Sequence, residues 1–125
     1  NTLSDYLGIE FTEIGDDFIK ATMPVDQRTK QPMGLLHGGA SVALSETLGS
    51  IASILAAGEF GKYSAVGVEI NANHLKAAKS GIVTGIVKPI KVGSTIHVWL
   101  TEIFDEKNEL ICTSRLTTLI RENKI

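Results

Sequence analysis

Residues 34–57 read GLLHGGASVALSETLGSIASILAA. Ala40, Leu44, Leu48, Ile51 and Leu55 recur there every three or four residues. That is the period of one apolar face of a helix, and it predicts about five turns over residues 39–57. Between Met33 and Gly58 the stretch holds one acid, Glu46, and one imidazole, His37, among Gly, Ala, Ser, Thr, Leu, Ile and Val. A lone carboxylate is costly to bury, so Glu46 either meets solvent in a cleft or has a chemical role. Gly49 and the small residues around it keep a second face thin, open to close approach by a sheet or another chain. Gly58 and Gly61 are suited to stop the helix in left-handed conformations.

On either side of the helix the hydrophobic period changes. Upstream, residues 6–13 and 18–25 are expected to be strands reversed at Gly15-Asp16-Asp17. Polar residues and Pro32 make residues 26–33 a loop, since proline lacks a backbone donor and restrains its predecessor. Downstream, residues 64–74, 81–92, 95–105 and 109–121 are rich in Val, Ile and Thr and are predicted strands. Their expected turns are Lys79-Ser80-Gly81, Gly93-Ser94 and Glu106-Lys107-Asn108. In the third, Ile96, Val98 and Leu100 alternate with His97, Trp99 and Thr101, so the first set is expected to face the core and the second to form a mixed face. The order is β-β-α-β-β-β-β, an α+β chain. Short connections require antiparallel pairing, so six strands form one curved sheet around a single central helix. One helix leaves the outer face and the sheet edges under-covered, which predicts a homo-oligomer.

Composition narrows the partners. The chain has 125 residues, expected to form a single domain, with a net charge of -2 and a pI near 5.9. Without a basic field, nucleic acid and anionic membranes are not expected partners. The single cysteine, Cys112, cannot form an internal disulfide, and no apolar run opens the chain in the manner of a signal peptide. A reducing cytoplasm is the expected compartment. With Ser41, Ser45, Glu46, Thr47, Ser50 and Ser53 the helix is expected to be too polar for a membrane span. His37, His74 and His97 are widely separated without further ligands at metal spacing, so no metal site is expected. Cys112 alternates with Leu110 and Ser114 in a strand and reads as a packed thiol rather than a nucleophile.

The order of elements, with Gln31-Pro32, His37-Gly38-Gly39, Glu46 and Ser50, resembles the hotdog-fold acyl-CoA thioesterases. Within them it is similar to the branch of hydroxybenzoyl-CoA thioesterases, phenylacetate-pathway thioesterases and the dihydroxynaphthoyl-CoA hydrolases of menaquinone synthesis. The runs RTKQPMGLLHGGASVALSE and VGVEINANH are especially like the last group. The resemblance spans residues 7–119. It implies the hotdog fold, hydrolysis of an acyl-CoA thioester with an aromatic acyl group, no cofactor beyond the coenzyme A of the substrate, and a dimer of dimers.

The chemistry asks for the same residues. A thioester carbonyl needs a nucleophile or activated water on one side and donors for the developing oxyanion on the other. The start of a helix carries backbone N–H groups without helical partners, and Gly38 and Gly39 have no side chains to keep a carbonyl away. The resemblance makes the Gly38 N–H the oxyanion donor; the plain alternative is that the glycines only ease a tight junction. Glu46 is the candidate nucleophile or general base, against a merely solvent-facing glutamate. Either route needs the ionised carboxylate, which burial disfavours and hydrogen-bond donors favour.

Ser50 lies one turn beyond Glu46 on the same face. By resemblance it orients the carboxylate or the water, from the other subunit's half of a shared site; alone it reads equally as packing. Gln31 and His37 match family positions that contact the thioester or acyl group, and each has a capping role as its alternative. His74, Lys76 and Lys79 form a short cationic cluster suited to the phosphates of coenzyme A, or else a solvated strand end. The Gly93-Ser94 turn offers a backbone donor to the same ligand, although Thr95 stands where some relatives carry a base. Two rivals remain: a non-catalytic acyl-CoA binding module, which has no need of Glu46, and a hotdog dehydratase, for which His37 with Glu46 would be the proton-moving pair.

Overall fold

The computed structural model describes residues 1–123. In chain order the elements are α1 (Leu3–Leu7), β1 (Glu10–Ile14), β2 (Ile19–Pro24), α2 (Gly38–Ala57), β3 (Tyr63–His74), β4 (Ile82–Val92), β5 (Ile96–Phe104) and β6 (Leu110–Glu122). The expected order holds, with one short helix in front of it. That helix corrects the strand expected over residues 6–13. Thr2 caps it by accepting the Asp5 N–H at 3.1 Å, and Gly8 closes it in the left-handed region at φ 74°. Tyr6 and Leu7 are therefore helical, and β1 begins only at Glu10.

The strands form one sheet in the order β1-β2-β4-β5-β6-β3, and every pairing is antiparallel. Residues 79–81 are not a hairpin turn between neighbours, as their composition suggests. α2 carries the chain from β2 across one face of the sheet to the far edge, where among the described residues β3 pairs with β6 alone. Residues 75–81 then cross back to bring β4 beside β2. The loop is fixed on the way by Leu75 N–H to the Ile111 carbonyl at 2.8 Å and Val25 N–H to the Gly81 carbonyl at 2.8 Å.

α2 buries Ala40, Leu44, Leu48 and Ala52, with Ser41, Ser45, Gly49 and Ser53 beside them. The buried stripe thus follows steps of four throughout, and Leu55, expected on the core face, is 50% exposed. Leu44 and Leu48 are fully buried, each contributing about 1.5–3 kcal/mol of transfer free energy. A Cβ on Gly49 would overlap the Leu116 side chain, so the missing side chain is what lets α2 lie against β6. By length and mean hydropathy α2 is long and apolar enough to cross a membrane, contrary to expectation. In this fold it is the helix around which the sheet wraps.

β5 turns its other face inward. His97, Trp99, Thr101 and Ile103 are buried, while Ile96 is 39% exposed and Val98 and Leu100 are half-buried. The polar side enters the core because partners wait there. Trp99 Nε1 donates to Ser53 Oγ at 2.6 Å, and the same oxygen lies 3.0 Å from His97 Nδ1 and 2.7 Å from Thr118 Oγ1. Buried polar groups so paired escape the cost of desolvation alone.

The two edges differ. β1 is short, 5 residues, whereas β3 runs for 12 with Val66 and Val68 about half exposed.

Candidate active site

α2 begins in a way that leaves one backbone donor free. His37 is the N-cap, in extended conformation, and its Nδ1 accepts the Gly39 N–H at 2.7 Å. Its carbonyl takes the Ala40 and Ser41 N–H groups. Among the described residues the Gly38 N–H has no acceptor, so it stands at the positive end of the helix as an unused donor. A Cβ on Gly38 would come 2.9 Å from His74 Nε2, because the His74 imidazole lies across this helix end. Glycine is the residue that allows both.

Gln31 sits in the loop before the helix. Its backbone N–H donates to the Leu35 carbonyl at 2.8 Å and its carbonyl accepts from Gly34 at 2.9 Å. Its side-chain Oε1 accepts the Met33 N–H, which leaves the amide NH2 as the free end. Gln31, Gly38 and His74 line one open cavity of about 420 Å³, with Leu75 and Ile111 as apolar wall. Two neutral donors and an imidazole in one cavity suit a carbonyl oxygen that gains charge.

Glu46 is elsewhere. It lies eight residues along α2 from Gly38, about 12 Å at the helical rise, and does not line that cavity. Its side chain is exposed and, among the described residues, makes no hydrogen bond or ion pair. Its carboxylate rests over β3, where a Cβ on Gly67 would stand 2.6 Å from Oε2. Ser50 follows one turn on, half-buried, on the same face. Gly67 was missed in the sequence. Its signal is a glycine inside the β-branched run VGVEI, where glycine weakens a strand and so marks a close approach or a bulge. Both occur here, since the β3–β6 register shifts between Gly67 and Glu69.

The remaining expected residues divide. The His37 ring takes the capping role and lines a separate concavity with Leu3, Leu7, Arg28, Lys30 and Ala43, of about 240 Å³. His74 joins the Gly38 cavity rather than a free cationic cluster. Lys76 is also at that cavity's wall, but its ammonium is held by Glu109 at 2.7 Å and Asp105 at 2.9 Å. Those bonds, Glu109 first and then Asp105, keep Lys76 above the ordinary lysine range and occupy its charge. Lys79 is exposed and, among the described residues, in no ion pair. Gly93 and Ser94 lie at the opposite end of the sheet, where Thr95 accepts from Ile120, the residue paired with Ala65 near the start of β3. One chain therefore does not bring them to His74. Among the described residues, no three His, Cys, Asp or Glu side chains gather as a metal site. Burial pushes the Cys112 thiol up, away from its reactive form.

The sequence profile of the thioesterase superfamily matches residues 33–112. The chain is 57% identical over 115 residues to the 1,4-dihydroxy-2-naphthoyl-CoA hydrolase of Escherichia coli (strain K12), covering 92% of this chain and 83% of that protein. It is 50% identical over 119 residues to a proofreading thioesterase of Cronobacter turicensis, covering 95% and 85%. The crystal structure of a thioesterase from Haemophilus influenzae superposes with a TM-score of 0.93 at 49% identity, covering 98% of this chain and 84% of the other.

Proposed function

The chain belongs to the thioesterase superfamily and hydrolyses an acyl-CoA thioester; from that premise we propose that the acyl group is aromatic and that the site is shared between two copies of the chain. Similarity to a dihydroxynaphthoyl-CoA hydrolase supports a fused aryl group and, with it, a step in menaquinone synthesis in the cytoplasm.

The observation that carries the shared site is the gap within one chain. The donors line a cavity at the start of α2, while Glu46 stands about 12 Å further along the helix, facing the open β3 edge. We place the two-fold axis of the pair near Ile70 and Asn71, midway along β3 between Gly67, beside Glu46, and His74, beside Gly38. Antiparallel pairing of two β3 edges about that axis extends the sheet across both copies. It also sets Glu46 of each copy level with the Gly38 cavity of the other. The half-exposed Val66 and Val68 support this pairing, because a long apolar edge needs a partner. The outer face, with Ile96, Val98 and Leu100, is the surface for joining two such dimers.

In the reaction, the Gly38 N–H and the Gln31 amide hold the thioester carbonyl oxygen. Glu46, ionised, either takes a proton from water as the water oxygen bonds to the carbonyl carbon or attacks that carbon itself and is later freed by water. In both routes the carbon–sulfur bond breaks, coenzyme A leaves and takes up a proton, and the free acid remains. Ser50 orients the carboxylate or the water. His37 supports the cavity by fixing the first turn, and His74 lines it. Lys79 is the cation left for the phosphates, with Lys76 committed to its carboxylates. The Gly93-Ser94 turn reaches coenzyme A only from another copy.

Thiol release from aryl-CoA and alkyl-CoA thioesters tests the reading. Glu46→Ala is expected to lower aryl-CoA turnover by about a thousandfold or more, the scale of losing an activated nucleophile or base. Turnover that survives the substitution overturns the role given to Glu46, and a preference for alkyl chains overturns the aromatic acyl group.

A further inference from the structure

We infer that Gly67 is the positioning residue for Glu46: the absence of a side chain at this one point of β3 provides the seat in which the carboxylate rests. The inference depends on Glu46 being the reacting carboxylate, as proposed above, and adds what determines its position. Three observations carry it. A Cβ at Gly67 would stand 2.6 Å from Glu46 Oε2, closer than such contacts occur. Among the described residues Glu46 makes no hydrogen bond or ion pair, so its close approach to β3 at Gly67 is the contact within the chain that bears on where the carboxylate sits. The register shift between Gly67 and Glu69 falls at the same place, and bulges commonly re-aim groups beside active sites.

The atom that an added methyl meets first is the far end of a flexible side chain, not backbone. Gly67→Ala should therefore leave the fold intact and move the carboxylate. A misplacement of about 1 Å can cost a reaction roughly a hundredfold. The effect should fall on kcat, because within the chain the methyl's nearest neighbours are Glu46 and Leu116 rather than Gly38 or Gln31, which hold the carbonyl.

The experiment is a double-mutant cycle on aryl-CoA hydrolysis with wild type, Gly67→Ala, Glu46→Ala and the double variant, each checked by thermal unfolding. Gly67→Ala is expected to lower kcat by about 10- to 100-fold with KM and Tm nearly unchanged. In the Glu46→Ala background the same substitution should change the residual rate by less than about twofold. With Glu46→Asp, whose carboxylate is withdrawn by one methylene, the Gly67→Ala penalty should shrink. Full activity in Gly67→Ala, or an equal loss with and without Glu46, overturns the inference. Unfolding of Gly67→Ala overturns it as well, since the methyl would then press on something other than the carboxylate. If Glu46→Ala itself keeps wild-type turnover, it is the assignment of Glu46 that fails, and the cycle shows this separately.

Discussion

Ser53 Oγ is the meeting point of His97, Trp99 and Thr118, and it sets a pH limit on this fold. Desolvation pushes the His97 imidazole below its ordinary range, opposed more weakly by hydrogen bonding to the Gly93 backbone. The unfolded chain binds a proton at this residue near pH 6.5, and the folded chain only at lower pH. Stability from neutral His97 is thus complete above about 6.5 and is lost as pH falls through the folded value. Tm should decline between pH 7.5 and 5.5, and His97→Asn should flatten that decline; equal slopes would assign the titration elsewhere. Asp26 and Asp105 are held below the usual carboxylate range, Asp26 chiefly by Arg28 and Asp105 chiefly by the Glu109 N–H, so their losses come at more acid pH. None of this was legible in the sequence. His97 and Trp99 read as the mixed side of a strand until Ser53 and Thr118, far off in the chain, are brought beneath them. The candidate chemistry was more legible, because Glu46 and His37 stand out in an uncharged run. What the run hides is which donor stays free, since the hydrogen bond from Gly39 to His37 decides that.

At the scale of the element, α2 shows what periodicity can and cannot settle. Its existence and extent follow from apolar spacing, but two stripes fit that spacing, one through Leu55 and one through Ala52. Packing chooses the second, because Gly49 and Ser53 must meet β6 and the Ser53 network. Leu48→Ala, which leaves a hole in the core, should cost about 2–5 kcal/mol in urea unfolding. Leu55→Ala should cost less than about 1 kcal/mol, as at other exposed positions. Similar losses at the two positions would mean that the helix is rotated from the arrangement described. The strands were likewise found within a residue or two at β2 and after α2, and misjudged at the first, where the Thr2 cap and Gly8 build a turn of helix from residues that also suit a strand. Their pairing was legible where short turns join β1 to β2, β4 to β5 and β5 to β6, but not across residues 79–81. A Lys-Ser-Gly turn looks the same whether it joins neighbours or begins a crossing.

For the whole molecule, the open β3 edge makes assembly and activity one question. If the site is shared as proposed, mixing Gln31→Ala with Glu46→Ala chains gives heterodimers in which one site carries both lesions and the other carries none. At equal, random mixing about a quarter of all sites are then intact. Activity should return toward that level after co-refolding, although each variant alone is nearly inactive; no recovery would mean that each site is built from a single chain. The same edge bears on how the molecule is made. Among the described residues β3 pairs only with β6, so Tyr63 meets Glu122 across the length of the downstream strands. While the ribosome is still adding β4 and β5, the β3 edge and the helix face above it have no covering strand, and local contacts cannot replace one. The final strand is thus the one that locks the first half in place, and nascent chains halted before it should be captured by chaperones and cut by proteases far more readily than chains only a dozen residues longer.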